Sequence, residues 1–222
     1  MHGVVFLGDR KLELKEFPDP TPGPRDVVLE ITASGMCGSD LHNYRAPAQP
    51  AGAVTGGIRR QAGVIAGHEP CGIVAAIGTG VTEREARVGQ RVMNHHYDGC
   101  GNCKHCRAGW TQMCLAGPVV FGSGGHGAHA KYMKVPVATL VPLPDSLSFV
   151  TGAAISCGTG TAWGALKRTF SKQGQAECAE FVADQHVDVD KLFTHRWKLE
   201  QAEEAYKLFD TQTTGKAVIL PS

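Results

Sequence analysis

Four cysteines within one short stretch, Cys100, Cys103, Cys106 and Cys114, constrain this chain more than any other feature. Their C-x2-C-x2-C-x7-C spacing lets neighbouring sulfurs turn inward to adjacent corners of a tetrahedron, and Gly99, Gly101 and Gly109 free the backbone to wrap a central ion. With all four corners taken by protein, such a site is structural. Four thiolates on a zinc ion leave the cluster at about −2, which Lys104 and Arg107 in the same loop partly offset. An iron–sulfur cluster is the nearest rival. Its usual bacterial run closes with x3 and a proline, whereas here x7 ends in Cys114 and Leu115. Disulfides are the remaining alternative, disfavoured in a chain that shows no secretion signal.

Composition sets the outer bounds. The 222 residues are 42% hydrophobic and 19% charged, enough to bury one sizeable core or two modest ones. Lys and Arg total 22 against 21 Asp and Glu, with no basic stripe, which argues against a nucleic-acid partner. No stretch approaches the ~20 apolar residues of a membrane span, and the apolar start at Val4 is closed by Asp9, Arg10 and Lys11. The expectation is a soluble cytoplasmic protein without membrane association, its thiols reduced and on metal.

From Val4 to about Leu143 the hydrophobic pattern is mostly period two, as at 28–33, 72–77 and 131–135, and turn residues punctuate each run. This predicts an antiparallel, barrel-like unit. Pro18, Pro20, Pro22 and Pro24 make an extended connector before a strand at Asp26. Residues 45–65 show no period and read as a long, mobile surface loop. After Pro144 the texture turns helical over 147–167, breaks at the polar stretch 171–174, and resumes with Ala176, Ala179 and Val182. A second amphipathic stripe, Leu199, Ala202, Ala205, Tyr206 and Phe209, precedes a short strand at 217–220.

A second candidate site is scattered along the chain. Cys37 lies in a glycine-flanked segment, His68 precedes Glu69, and Cys157 heads the helical region. Two thiolates and one imidazole make a zinc site with one free corner, whereas Cys71 and Cys178 read as small core residues. Segments 35–42, 67–69, 100–114 and 156–164, with the tail 199–221, resemble the zinc-dependent medium-chain alcohol dehydrogenases. The resemblance implies an α+β, mainly β fold, a GroES-like antiparallel barrel with peripheral helices and a zinc-knuckle lobe at 95–115. It implies two zinc ions: a catalytic one on Cys37, His68 and Cys157, and a structural one on the four-cysteine set. It also implies Glu69 as a neighbour or alternate ligand, and Ser39 and His42 as a proton relay. Cys157 stands where polyol-type relatives often carry Glu, which tilts the reading towards the alcohol type. The implied substrate is a small-molecule alcohol or carbonyl, with zinc lowering the alcohol's pKa and hydride passing to NAD(P). His96 is a further candidate for the pocket lining.

A cofactor domain is expected between 170 and 175, and the sequence joins the two parts of the catalytic domain, 1–170 and 175–222, directly across 171–174. Residues 122–127 carry the letters G-x-G-x-x-G but are followed by alternating, strand-like sequence rather than by a helix. The segment at Gly158 and Gly160 lacks a preceding buried strand. No cofactor-binding residue is therefore assigned. Two readings stay open: the catalytic domain of an alcohol dehydrogenase, and a stand-alone two-zinc domain or scaffold without NAD(P)-dependent turnover. Residue types leave the alcohol, the choice between NAD and NADP, and the oligomeric state undetermined.

Overall fold

The computed structural model describes residues 1–48, 54–55, 58–59, 61–167 and 172–221. The chain opens with a hairpin of β1 (His2–Gly8) and β2 (Lys11–Glu16), closed by Asp9 and Arg10, both at positive φ as the natural strand twist requires. After the proline connector comes β3 (Asp26–Gly35), the sheet's central strand, whose Val27, Leu29, Ile31 and Ala33 are fully buried. The short helix α1 (Gly38–Arg45) follows directly.

Within 45–65 the expectation of a structureless loop is corrected, because β4 (Val54–Thr55) pairs with β5 (Ile58–Arg59). Each is a β-branched pair or near-pair too short to display a period. Residues 49–53, 56–57 and 60 of that stretch lie outside the described residues. Strands β6 (Glu69–Ile77) and β7 (Arg91–Asn94) then lead to the cysteine lobe. The lobe is based on the β8 (Tyr97–Asp98) and β9 (Val119–Val120) pair and contains the single-turn α2 (Lys104–Arg107). Strands β10 (Tyr132–Pro136) and β11 (Leu140–Pro142) close the strand-rich part.

Helix α3 (Phe149–Ala154) starts at Ser148, whose Oγ accepts the Thr151 N–H at 3.0 Å. It runs through a π turn, Ile155–Thr159, into α4 (Gly160–Lys167). Helix α5 (Lys172–Asp184) begins two residues before the glycine of the expected 171–174 break, so 172–174 form its first turn. Lys172 and Gln173 are good helix formers, and Gly174 costs only about 1 kcal/mol there; residue 171 lies outside the described residues. Strand β12 (Phe193–Lys198), helix α6 (Ala202–Asp210) and strand β13 (Lys216–Leu220) complete the chain.

Seven strands form the main sheet in the order β11-β7-β6-β3-β13-β12, with β10 also paired to β3. The architecture is the expected mixed, sheet-centred one with peripheral helices and a cysteine lobe. Two details differ. Among the described residues β11 and β12 are free ends of the sheet, so the roll stays open and no barrel closes, and β12 runs parallel to β13. One apolar cluster packs α3 and α5 on the sheet through Ala153, Ala154, Ala179 and Val182, with Cys71 and Cys178 in it as expected. A second fills the roll around Leu29, Val74 and Met133. A third joins α1 and α6 to β1 and β13 through Leu41, Tyr44, Ala205 and Tyr206.

Candidate functional site

Three separate elements deliver the open donor set. Cys37 follows β3 and caps α1 in extended conformation, His68 immediately precedes β6, and Cys157 occupies the middle of the π turn. Such single π turns inside α-helices recur at functional positions. The ligand atoms of the three residues all lie within 4.8 Å of one another, with the Cys37 and Cys157 sulfurs 3.9 Å apart. Two sulfurs on one tetrahedral zinc, each about 2.3 Å from it, would stand roughly 3.8 Å apart, so the set fits the ion.

Asp40, which the sequence reading missed, organises two of these residues. One carboxylate oxygen accepts the Cys37 backbone N–H at 3.0 Å, and the other meets His68 Nδ1 at 3.1 Å. With Nδ1 on the carboxylate, Nε2 is left for the donor set, the arrangement by which outer carboxylates fix the tautomer of ligating histidines. Burial opposes the imidazolium, but the Asp40 charge and hydrogen bond, together with Cys37, outweigh it and hold His68 well above its ordinary value. Between the two thiols the hydrogen bond from Cys157 pulls Cys37 far down, and the same bond and burial push Cys157 up. The signal for Asp40 was present in the sequence: an acid three residues after a helix cap has the capping-box spacing.

Glu69 is fully buried beside this set. A Cβ on Gly35 would stand 2.0 Å from its Oε2, so only glycine lets the carboxylate lie there. Lys216 at the start of β13 pairs with both oxygens, at 2.6 and 2.9 Å. Burial raises the Glu69 carboxyl to about 7 against the opposing pull of Lys216. The sequence reading missed Lys216, which stands 147 residues away along the chain. Ser39 Oγ lies 4.0 Å from Cys37 Sγ, and His42 is exposed one turn further along α1. His96 is buried with its ring 5.2 Å from that of His68, and its Nδ1 is 3.2 Å from the Ser156 carbonyl.

In the lobe, Cys100, Cys103, Cys106 and Cys114 bring their sulfurs within the same 4.8 Å limit. Backbone N–H groups of Cys106 and Leu115 draw the Cys103 thiol down to about 6, and the Cys100 N–H, 3.3 Å from Cys114 Sγ, lowers Cys114. Burial, with the sharing of a proton with Cys103, pushes Cys106 up to about 12. Four thiols aimed at one point and already supplied with N–H donors match a closed thiolate cage. Residues 122–127, by contrast, form a turn packed on the approach to His68. A Cβ at Gly127 would stand 2.1 Å from the Gly67 carbonyl oxygen, so tight packing accounts for glycine there.

A family model described as the alcohol dehydrogenase GroES-like domain matches residues 23–145. The chain belongs to the zinc-dependent medium-chain alcohol dehydrogenase family. It is 40% identical over 169 residues to the uncharacterized zinc-type alcohol dehydrogenase-like protein YphC of Escherichia coli, a match covering 76% of this chain and 47% of YphC. To the L-threonine 3-dehydrogenase of Stenotrophomonas maltophilia it is 37% identical over 134 residues, 60% of this chain and 37% of that enzyme. This family member therefore spans about half the length, or less, of the curated relatives it matches. Its fold is that of the cobalt- and zinc-bound thermostable alcohol dehydrogenase from Pyrobaculum aerophilum, with a TM-score of 0.81 at 17% identity over 100% of this chain and 99% of that one.

Proposed function

We propose that the chain carries the catalytic domain of a zinc-dependent alcohol dehydrogenase, with one zinc ion on Cys37, His68 and Cys157 and a second on Cys100, Cys103, Cys106 and Cys114. The observation behind this reading is the convergence of two thiols and one imidazole, the latter oriented by Asp40. When bound in the open set, zinc supplies a Lewis acid that lowers the pKa of a substrate hydroxyl. Ser39, beside Cys37, accepts the proton leaving that hydroxyl, and exposed His42 hands it to water. Glu69, tied to Lys216, stands next to the set as a balancing charge or alternate ligand. NAD(P) is the hydride acceptor in the complete family architecture, and the substrate is a small-molecule alcohol or the corresponding carbonyl.

Residues 1–170 and 175–222 act as two parts of this one domain. Supporting that division, β13 pairs with β3, and α6 shares a core cluster with α1. The protein works in the cytoplasm, where a reducing environment keeps the proposed zinc-binding thiols from pairing as disulfides; no helix among the described residues is long and apolar enough to cross a membrane. The second reading, a two-zinc domain without turnover of its own, draws support from the packing of 122–127 against Gly67 instead of ahead of a helix. Metal analysis after zinc reconstitution tests the two-zinc assignment on which both readings rest. Two equivalents per chain are expected, and one equivalent would remove the open set from the proposal.

A further inference from the structure

Gln175 is a fully buried polar side chain in the first turns of α5, far in sequence from every candidate ligand except Cys157. Its Nε2 lies 2.5 Å from the Ser156 carbonyl oxygen, and its Oε1 lies 3.2 Å from His95 Nδ1. The other nitrogen of His95, Nε2, is 3.1 Å from the Thr111 hydroxyl, which belongs to the cysteine lobe between Cys106 and Cys114. A carbonyl can only accept, so the amide must turn its NH2 towards Ser156 and its oxygen towards His95. His95 must then donate from Nδ1, and its Nε2 faces the Thr111 hydroxyl, whose oxygen also lies 3.2 Å from the Tyr97 carbonyl, so the one Thr111 proton is shared between Nε2 and that carbonyl. Two donors point one way, His95 to Gln175 and Gln175 to Ser156, and the Thr111 hydroxyl ties the far nitrogen of His95 to the lobe.

The chain of bonds ends at the carbonyl of Ser156, inside the π turn. Gly160 N–H, which an α-helix would aim at Ser156, donates instead to Cys157. The Ser156 oxygen receives two side-chain donors, Gln175 and His96. Both hold the peptide unit that leads directly into Cys157. Aligned hydrogen bonds polarise one another in a low-dielectric interior, so the path is stiffer than its separate links.

We infer that Gln175 is a positioning residue for the open metal site: through Ser156 it fixes the Cys157 thiol opposite Cys37 and His68, and through His95 and Thr111 it braces that thiol against the four-cysteine lobe. The inference rests on the assignment of Cys37, His68 and Cys157 as metal ligands. It gives the lobe a second role besides holding its own ion, because the lobe anchors one end of the support for the other site.

Cobalt is the probe, since its visible absorption reports thiolate ligation and geometry at each site. Wild-type protein should take up two equivalents, and Cys157→Ser should lose one together with its part of the spectrum. A single equivalent in the wild type would overturn the ligand assignment, and this inference with it, before any Gln175 variant is made. Gln175→Met keeps size and flexibility while removing both hydrogen bonds. It should retain the lobe's cobalt, bind the open-site cobalt about 10–100-fold more weakly, the usual loss for an outer-shell partner, and shift the open-site bands. Unchanged open-site affinity and spectrum, with a lower melting temperature alone, would make Gln175 a packing residue and overturn the proposal. If Gln175→Met does not fold, Thr111→Val cuts the path at its surface end. Weaker open-site binding of cobalt in that variant supports the bracing, and unaltered binding refutes it.

Discussion

Asp40 is the residue on which the open set turns, since its two oxygens fix both the Cys37 backbone and the His68 ring. Replacing a carboxylate that orients a ligating histidine typically costs 10–100-fold in metal affinity. Asp40→Asn should accordingly weaken zinc at the open set by about that factor in a chelator competition and leave the four-cysteine ion in place. A separate buried trio sets an acid limit on the fold. His129 sits between Ser34 Oγ at 2.7 Å and the Tyr206 hydroxyl at 2.8 Å, and burial lowers it from 6.5 to about 4. The unfolded chain protonates this imidazole near 6.5 while the folded one resists until about 4, so in that window the unfolded state binds more protons and stability falls as pH falls. The full difference, present above pH 6.5 and lost towards pH 4, amounts to about 3 kcal/mol. Urea unfolding at pH 7 and pH 4.5 should show this loss in the wild type and a smaller one in His129→Gln, whose side chain stays neutral throughout.

At the level of elements, the two cysteine sets sit in different surroundings, and that difference is testable. The lobe has small paired strands, one helical turn and few buried side chains of its own, so its four sulfurs and their ion take the place of a core. The open set instead hangs on β3, β6 and the π turn, elements already packed by two apolar clusters. Cys103→Ser should therefore lower the melting temperature substantially, because structural zinc contributes folding free energy, whereas Cys157→Ser should mainly empty the open site. Equal losses in the two variants would contradict the division. The same contrast explains what the sequence could reveal. The lobe was legible because its ligands fall within one loop and their spacing is itself the geometry. Cys37, His68 and Cys157 were legible as residue types, but nothing local in their spacing places them together; β3 and β6 pairing and the π turn do that. Lys216 and Gln175 left no local trace, since a lysine opening a strand and a glutamine in a helix look like ordinary surface residues until the tertiary fold buries them. Strand β12 was hidden because the polar Thr194, His195 and Arg196 separate its apolar Phe193 and Trp197, and its partner is the parallel β13.

Across the whole molecule, α5 follows α4 closely and the two helices pack together, with Trp163 and Phe181 in ring contact 4.6 Å apart between centroids. Everything needed for the two metal sets is contributed from one side or the other of this junction: ligands before it, and after it Gln175, Lys216 and the strand that completes the sheet beside β3. On the proposed function, what the 222-residue chain must still obtain for turnover is a nicotinamide held against the substrate carbon. Fixing two reactants in near-attack geometry is worth about 7–11 kcal/mol of barrier, which cofactor free in solution does not recover. The expected outcome is that the 222-residue chain, loaded with zinc, shows no measurable alcohol oxidation with NAD or NADP. Inserting the nucleotide-binding domain of a near relative between Lys167 and Lys172 should restore it. The insertion belongs before Lys172 because α5 begins there and the Gln175 contacts must survive. Oxidation by the unmodified chain at ordinary enzymatic rates would show that a nicotinamide site already exists within these residues and would send attention back to the 122–127 turn. A folded, zinc-loaded and NAD(P)-binding insertion variant that stays inactive would instead place the fault in Ser39 and His42, the groups proposed to carry the proton away.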